Sequence, residues 1–238
     1  MINKTQLSVE RALERGLIHR DYIAHCLRWS HIMKYVNPDE SCILDIGCGD
    51  FPLMKTLYTN RKHPKLYHGI DIRDMRDKNT IVPNFEWLFS QLNATKDNLP
   101  QCKYGEWNII TCFEILEHNE KEDGVKLLSN IKSIMSGNTY LFLSTPCFNG
   151  DKANNHVYEW THDELKVYLE SILVIEEHYG TFASKRDIVS QLTSSQLEIY
   201  NQLGKYYDSN LTSILLAPLY PQYSRNCLWR CRLNHEQV

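Results

Sequence analysis

The chain has no long apolar run. Its longest, such as Ile214-Leu215-Leu216-Ala217, fall far short of the roughly 20 residues that a membrane-spanning helix requires, so an integral helical membrane protein is excluded. No apolar h-region follows Met1-Ile2-Asn3-Lys4-Thr5-Gln6, and a cytoplasmic location is expected. The eight cysteines, Cys26, Cys42, Cys48, Cys102, Cys112, Cys147, Cys227 and Cys231, include no C-x-x-C pair, so neither a zinc knuckle nor a disulfide framework is indicated. Low-complexity tracts and fixed-period repeats are also missing. Lysine and arginine form no stripe: 26 basic against 29 acidic residues leave a formal charge of −3 and a pI near 6.4. That balance disfavours a protein that coats bulk nucleic acid, while leaving recognition of a single RNA end open.

What remains is an ordinary globular composition, 42% hydrophobic and 23% charged over 238 residues, enough for one α/β domain with additions. Helical spacing over 7–36 (Leu7, Val9, Ala12, Leu13, then Ile23, Cys26, Leu27, Ile32) predicts two helices before the first strand. Short apolar runs then alternate with helical segments, the pattern of a parallel sheet covered on both faces. Strands are expected at 42–46, 66–71, 85–89, 107–112, 139–144, 172–178 and 226–233, and helices near 52–60, 120–135 and 162–171. The stretch 181–224, punctuated by Pro218 and Pro221, reads as a helical insertion before the last strand.

Strand one ends in Asp45-Ile46-Gly47-Cys48-Gly49, where two glycines let the backbone turn sharply and approach a ligand. A dinucleotide fingerprint would continue to a third glycine, but Pro52 stands there instead and favours a helix start. This D-x-G-x-G loop resembles motif I of class I S-adenosylmethionine (SAM)-dependent methyltransferases, whose ligand carries no phosphate. The resemblance covers roughly 40–180. It implies a Rossmann-like seven-stranded sheet of order 3-2-1-4-5-7-6, strand seven antiparallel, with helices on both faces. It also implies a single domain: an N-terminal helical lid (1–36), a SAM-binding core (37–180), the helical insertion (181–224), and a last strand with its tail (225–238).

The same resemblance assigns cofactor-binding roles to Asp45, Gly47 and Gly49, to Asp71 and neighbouring Ile72 at the end of strand two, to Asn93 after strand three, and to Glu114 after strand four. A carboxylate at position 71 suits two ribose hydroxyls, since each oxygen can accept a charge-assisted bond. Asn93 stands where the family often has aspartate; its carbonyl can accept from an adenine amine, and a plain loop turn is the competing reading.

Strand four delivers Glu114-Ile115-Leu116-Glu117-His118, and strand five is followed by Thr145-Pro146 and His156-Val157-Tyr158-Glu159-Trp160-Thr161. Ubiquinone-type O-methyltransferases carry a similar E-x-x-E-H. In small-RNA terminal 2′-O-methyltransferases both features occur together and hold a divalent metal. That implies Glu114, Glu117, His118 and His156 as ligands of Mg2+ or Mn2+, a site of oxygen and nitrogen donors rather than thiolates. In the competing reading, His118 merely closes the SAM pocket and Thr161 caps a helix whose first turn holds Asp163 and Glu164. His118 and His156 are the candidate catalytic bases.

Other motifs carry less. Pro146-Cys147 follows strand five rather than strand four, unlike a cytosine-C5 nucleophile, and no Asn/Asp-Pro-Pro-aromatic motif of amino-DNA methyltransferases is present. In the N-terminal helix Tyr22, His25 and Trp29 share a face, as core packing or as a substrate stripe, with Arg20, Arg28 and His31 alongside. Arg225 at a strand start could reach an anionic substrate. The expected activity is methyl transfer to a hydroxyl of a small molecule or sugar. The alternatives are a metal-dependent methylation of an RNA 3′-terminal 2′-hydroxyl, and a non-catalytic scaffold of the same fold.

Overall fold

A computed structural model describes residues 20–78, 83–207 and 209–234. The first of the two expected N-terminal helices, and the side chains of Arg20 and Tyr22, lie outside the described residues. Helix α1 (Arg20–Ile32) precedes a seven-stranded sheet built from β1 (Cys42–Ile46), β2 (Leu66–Asp71), β3 (Glu86–Gln91), β4 (Ile109–Phe113), β5 (Tyr140–Pro146), β6 (Val174–Phe182) and β7 (Asn226–Arg232). Its order is β3-β2-β1-β4-β5-β7-β6, with β1 to β5 parallel and β7 antiparallel to both neighbours. The fold expected from motif I is therefore the fold observed.

The central strands read as continuous apolar runs because both faces are covered. The period of two divides them between two cores: Leu44, Ile46, Ile110 and Trp229 face one, Ile43, Ile109, Phe142 and Leu228 the other. Helices α3 (Lys121–Ser133) and α4 (His162–Ile172) supply Leu127, Leu128, Leu165 and Leu169 to the first core, while α1 and α2 (Pro52–Thr59) supply Ile32, Leu53 and Leu57 to the second. β3, at the edge, is half-buried except at Leu88 and Gln91, which are exposed. Strand β6 runs on to Phe182, beyond the expected 178, because β7 pairs with it that far through two register shifts.

The stretch 181–224 forms α5 (Lys185–Val189), α6 (Ser194–Leu203), α7 (Ser209–Leu216) and two 3-10 turns at Ala217–Leu219 and Pro221–Tyr223. All eight cysteines are free thiols, seven of them buried. No helix among the described residues is long and apolar enough to cross a membrane.

The loops that carry the candidate site residues lie at one edge of the sheet. The carboxyl ends of β1, β2, β4 and β5 and the start of antiparallel β7 meet there, with Pro146 opposite Asn226. The segment leading into α4 is fixed by a capping box: Thr161 Oγ1 accepts from Glu164 N at 3.2 Å while Thr161 N donates to Glu164 Oε2 at 3.4 Å. Thr161→Ala should lower stability by about 1 kcal/mol, read as a shift in the chemical-denaturation midpoint with unchanged slope.

Candidate active site

The β1–α2 loop has the backbone that its glycines foretell. Gly47 (φ 72°) and Gly49 (φ 50°) are left-handed, a conformation costly for side chains with a Cβ. A Cβ on Gly47 would lie 2.1 Å from Ile115 Cδ1, whereas one on Gly49 would meet nothing within 4 Å, so the loop is packed on one side and open on the other. Asp71 closes the loop from below: its Oδ2 accepts from Gly49 N at 3.2 Å and its Oδ1 from Arg73 N at 2.9 Å. Ile72 follows with 61% of its surface exposed, an apolar residue left beside the carboxylate where a heteroaromatic ring could rest.

Asp45 is buried, and its two oxygens accept from Tyr67 OH and, at 2.6 Å, from Thr111 Oγ1. Burial outweighs both donors and lifts its pKa to about 6. Its role is thus to brace the strand end beneath the glycine loop. Asn93 spends its carbonyl oxygen locally, accepting from Thr95 N at 3.0 Å and Thr95 Oγ1 at 2.8 Å. In this arrangement both lone pairs are taken, and the turn reading describes the residue.

After β4 the chain makes a strained step. Glu114 has φ 58°, uncommon for a residue with a side chain, and its amide donates to Ser144 O at 2.9 Å. Its carboxylate accepts from Arg28 Nη1 at 3.0 Å, Ser144 Oγ at 2.9 Å and Asn226 Nδ2 at 3.0 Å. Burial would raise its pKa, but Arg28, His25 and these donors hold it below the usual carboxylate range. Arg28 is 1% exposed and also donates to Asn226 Oδ1 and to His25 Nδ1. On α1, then, Arg28 reaches the site, while His25 and Trp29 stack on each other with centroids 5.4 Å apart.

One 3-10 turn later the chain presents Glu117 and His118, and the segment after β5 folds back over them: Val157 N donates to Glu117 O at 2.7 Å. One ligand atom each from Glu117, His118 and His156 lies within 4.8 Å of the others. Glu114, expected as a fourth ligand, is outside that group; its oxygens are already held by Arg28, Asn226 and Ser144.

Both imidazoles are oriented for ligation. His118 Nδ1 faces Asn155 O at 3.2 Å, and His156 Nδ1 faces Glu159 Oε1 at 2.5 Å. Since both partners only accept, each Nδ1 carries the proton, and the lone pair of a neutral ring lies on Nε2, as in carboxylate–histidine–metal sites. Glu117 is 1% exposed and receives a hydroxyl bond from Thr145 at 3.1 Å. Burial and the nearby Glu114 charge push its pKa well above the usual range. A buried carboxylate in want of positive charge, beside two imidazoles of fixed tautomer, fits a divalent cation; His118 is exposed and would leave such an ion open to a substrate.

One residue of this site was not singled out from the sequence, and another takes a different role from the one expected. Glu159 is fully buried and takes three donors on one oxygen: His156 Nδ1, Arg225 Nη2 at 2.6 Å and Ala153 N at 3.2 Å. Burial would raise its pKa, but Arg225, His156 and the Ala153 amide bring it below the ordinary range. Arg225, which could have met an anionic substrate, is turned inward to Glu159 and to Cys147 O at 2.8 Å. The spacing of Glu159 three residues after His156 was the available signal.

A sheet of this order with a D-x-G-x-G loop and an acidic residue ending β2 defines the class I SAM-dependent methyltransferase fold. A protein-family model for a methyltransferase domain matches residues 18–202, and the chain belongs to that family. Among solved structures it is similar to the N-methyltransferase NodS from Bradyrhizobium japonicum in complex with S-adenosylhomocysteine (14% identity, 98% of this chain and 100% of that one, TM-score 0.57). It is also similar to 1,6-didemethyltoxoflavin-N1-methyltransferase from Burkholderia thailandensis (10% identity, 97% and 87%, TM-score 0.57). A third likeness is to magnesium protoporphyrin IX methyltransferase from Synechocystis (13% identity, 98% and 89%, TM-score 0.55). No curated protein sequence matches the chain significantly.

Two outcomes test the cofactor side. Asp71→Ala should weaken SAM binding by about 1.5–3 kcal/mol, the scale of hydrogen bonds to a charged group; an unchanged titration isotherm would remove Asp71 from the site. Asp45, whose pKa is higher folded than unfolded, favours the folded state most below the unfolded value of 3.8, and that contribution is lost as pH rises through about 6. Relative to Asp45→Asn, the wild type should therefore lose on the order of 2–3 kcal/mol of unfolding free energy between pH 4 and pH 7, measured by denaturant titration at each pH.

Proposed function

We propose that this methyltransferase transfers the SAM methyl group to a hydroxyl, and that the acceptor is the 2′-hydroxyl of an RNA 3′-terminal ribose. A divalent Mg2+ or Mn2+ ion would be held by Glu117, His118 and His156. The observation that carries this reading is the closure of those three ligand atoms to within 4.8 Å, from two segments 38 residues apart (156 − 118). Of the acceptor classes compatible with the sequence, the terminal-RNA enzymes are the ones whose resemblance includes both E-x-x-E-H and the H-x-aromatic-E-W segment.

SAM, when bound, supplies a methyl already activated on sulfonium, so the protein's task is chiefly alignment. The acceptor oxygen forms a bond to the methyl carbon as the carbon–sulfur bond breaks, S-adenosylhomocysteine leaves, and the hydroxyl proton passes to solvent water. A cation held here would lower the pKa of that hydroxyl. Glu117 and the two Nε2 atoms would fix its position, and Glu159 would keep the His156 ring in the ligating tautomer. The open face of the Gly47–Gly49 loop, on the neighbouring strand β1, and the Asp71 carboxylate, one strand further on, would seat the cofactor.

A small-molecule or sugar hydroxyl is the second reading. It is supported by the net charge of −3 with no basic stripe and by structural neighbours whose names specify a toxoflavin precursor and a porphyrin. RNA binding with a steep salt dependence separates the two.

For the metal, Glu117→Ala should abolish chelator-sensitive turnover while SAM affinity stays within a few-fold of wild type. Glu159→Gln should weaken Mn2+ binding by roughly 10- to 100-fold, as read by calorimetry without any turnover. Full activity after exhaustive chelation would sink the metal assignment.

A further inference from the structure

Beyond β5, past the Glu117–His118–His156 group, the sheet edge opens into a cavity of about 500 Å³ that no step above uses. We propose that this cavity is a subsite for an uncharged heteroaromatic ring, the base of a nucleotide at or next to the 3′ end of the acceptor strand. The proposal rests on the RNA reading above and names where that strand would be gripped.

Its place follows from strand order. Along the carboxyl edge, Asp71 ends β2, Asp45 lies on β1, Glu114 and Glu117 follow β4, and the cavity has Cys147, just after β5, and Ser224, just before β7, in its wall. The cofactor loop and the cavity thus flank the candidate metal group from opposite sides. An acceptor whose hydroxyl faces that group and the methyl donor must extend away from the donor, toward β5 and β7. The cavity wall is also tied to the group: Phe148 N donates to Trp160 O at 2.8 Å, and Arg225 bridges Cys147 O to Glu159, the partner of His156.

Its chemistry selects the ligand. Phe148 and Tyr223 line the cavity and are each 40% exposed, so they offer ring faces for stacking, which is tolerant of base identity. Gln222 adds a side-chain amide that can both donate to and accept from a base edge, and Asn149 and Gln191, whose NH2 groups donate to Asp187 Oδ2 at 3.1 Å and to Ser190 Oγ at 3.0 Å, add amide carbonyls that can accept. The charge balance argues against a phosphate: the lining has one guanidinium, Arg186, whose Nε donates to Asp187 Oδ1 at 3.1 Å, and a further carboxylate in Asp163. The volume lies in the range of sites that enclose small organic groups and is ample for one base.

The test uses the full chain with Mn2+ and S-adenosylhomocysteine. Its probes are a short, fluorescently labelled single-stranded RNA ending in free 2′- and 3′-hydroxyls, and the same RNA with one abasic residue at the last, second-last or third-last position. Anisotropy should show wild type losing roughly 10- to 100-fold in affinity for one of the abasic strands. The Phe148→Ala/Tyr223→Ala variant should lose about as much on intact RNA and nothing further on that abasic strand, with SAM affinity unchanged. Both rings are partly exposed, so folding should survive; Gln222→Ala, at an exposed position, provides a milder second variant with a smaller loss on the same strand. Wild-type affinity of the double variant for intact RNA, or undiminished sensitivity to every abasic position, would overturn the subsite while the RNA reading stands. If wild type neither binds nor methylates any of the strands, both fall together.

Discussion

Removing carboxylates from water is the constraint around which this molecule is arranged. Asp45, Asp71, Glu117 and Glu159 are each less than 9% exposed, and Glu114 is largely covered, all along one edge of one sheet. An isolated carboxylate in such a place is strongly disfavoured, so each must find donors, a countercharge, a proton or a ligand. They find different ones. Asp71 is met by two backbone amides and the Arg73 guanidinium, Asp45 by two hydroxyls and a raised pKa, Glu114 by Arg28 and Glu159 by Arg225. Glu117 is met by the Thr145 hydroxyl and a raised pKa, and it is the one flanked by two oriented imidazoles. The pattern of compensation, more than any single motif, distinguishes braces from ligand sites.

This distinction corrects the simplest reading of E-x-x-E-H. By type and spacing Glu114 and Glu117 look equivalent, yet the left-handed step at Glu114 turns its side chain toward Arg28 and Asn226, while Glu117 turns toward Thr145 and the histidines. Asn226 makes the difference structural: its side chain touches Glu114, Arg28 and Thr181, and so joins the ends of β4, β6, β7 and α1. Glu114 belongs to the frame that fixes α1 on the sheet, and Glu117 to the surface that frame presents.

Much of this was legible in the sequence, for local reasons. Strands such as Cys42–Ile46 and Leu66–Asp71 announce themselves because a parallel strand buried on both faces is a short unbroken apolar run. The glycine loop was readable because only glycine adopts its backbone freely, and Pro52 because it starts a helix well. What could not be read was pairing at a distance. Arg28 and Asn226 are 198 residues apart, Arg225 and Glu159 are 66 apart, and nothing in either neighbourhood tells a buried guanidinium from a solvated one. For the same reason Arg225 looked available to a substrate, and Asn93 looked available to adenine until its own turn claimed its carbonyl.

The division along the edge also bears on how cofactor and acceptor are kept apart. The β1–β2 side offers backbone turns, one structural carboxylate at the glycine loop and an exposed Ile72, a surface suited to a ligand whose hydroxyls need acceptors and whose ring needs an apolar rest. The β4–β5 side offers a carboxylate in want of charge and two imidazoles, a surface suited to a cation and to whatever hydroxyl the cation attracts. Between them stands Ile115, packed against Gly47 so closely that no Cβ fits. That contact couples the two halves: the residue that follows the strained Glu114 also walls the cofactor loop, so the backbone that aims Glu117 is held by the backbone that shapes the loop. A change at Gly47 or at Glu114 would therefore be felt on both sides of Ile115, so one short stretch of chain sets the geometry of both surfaces.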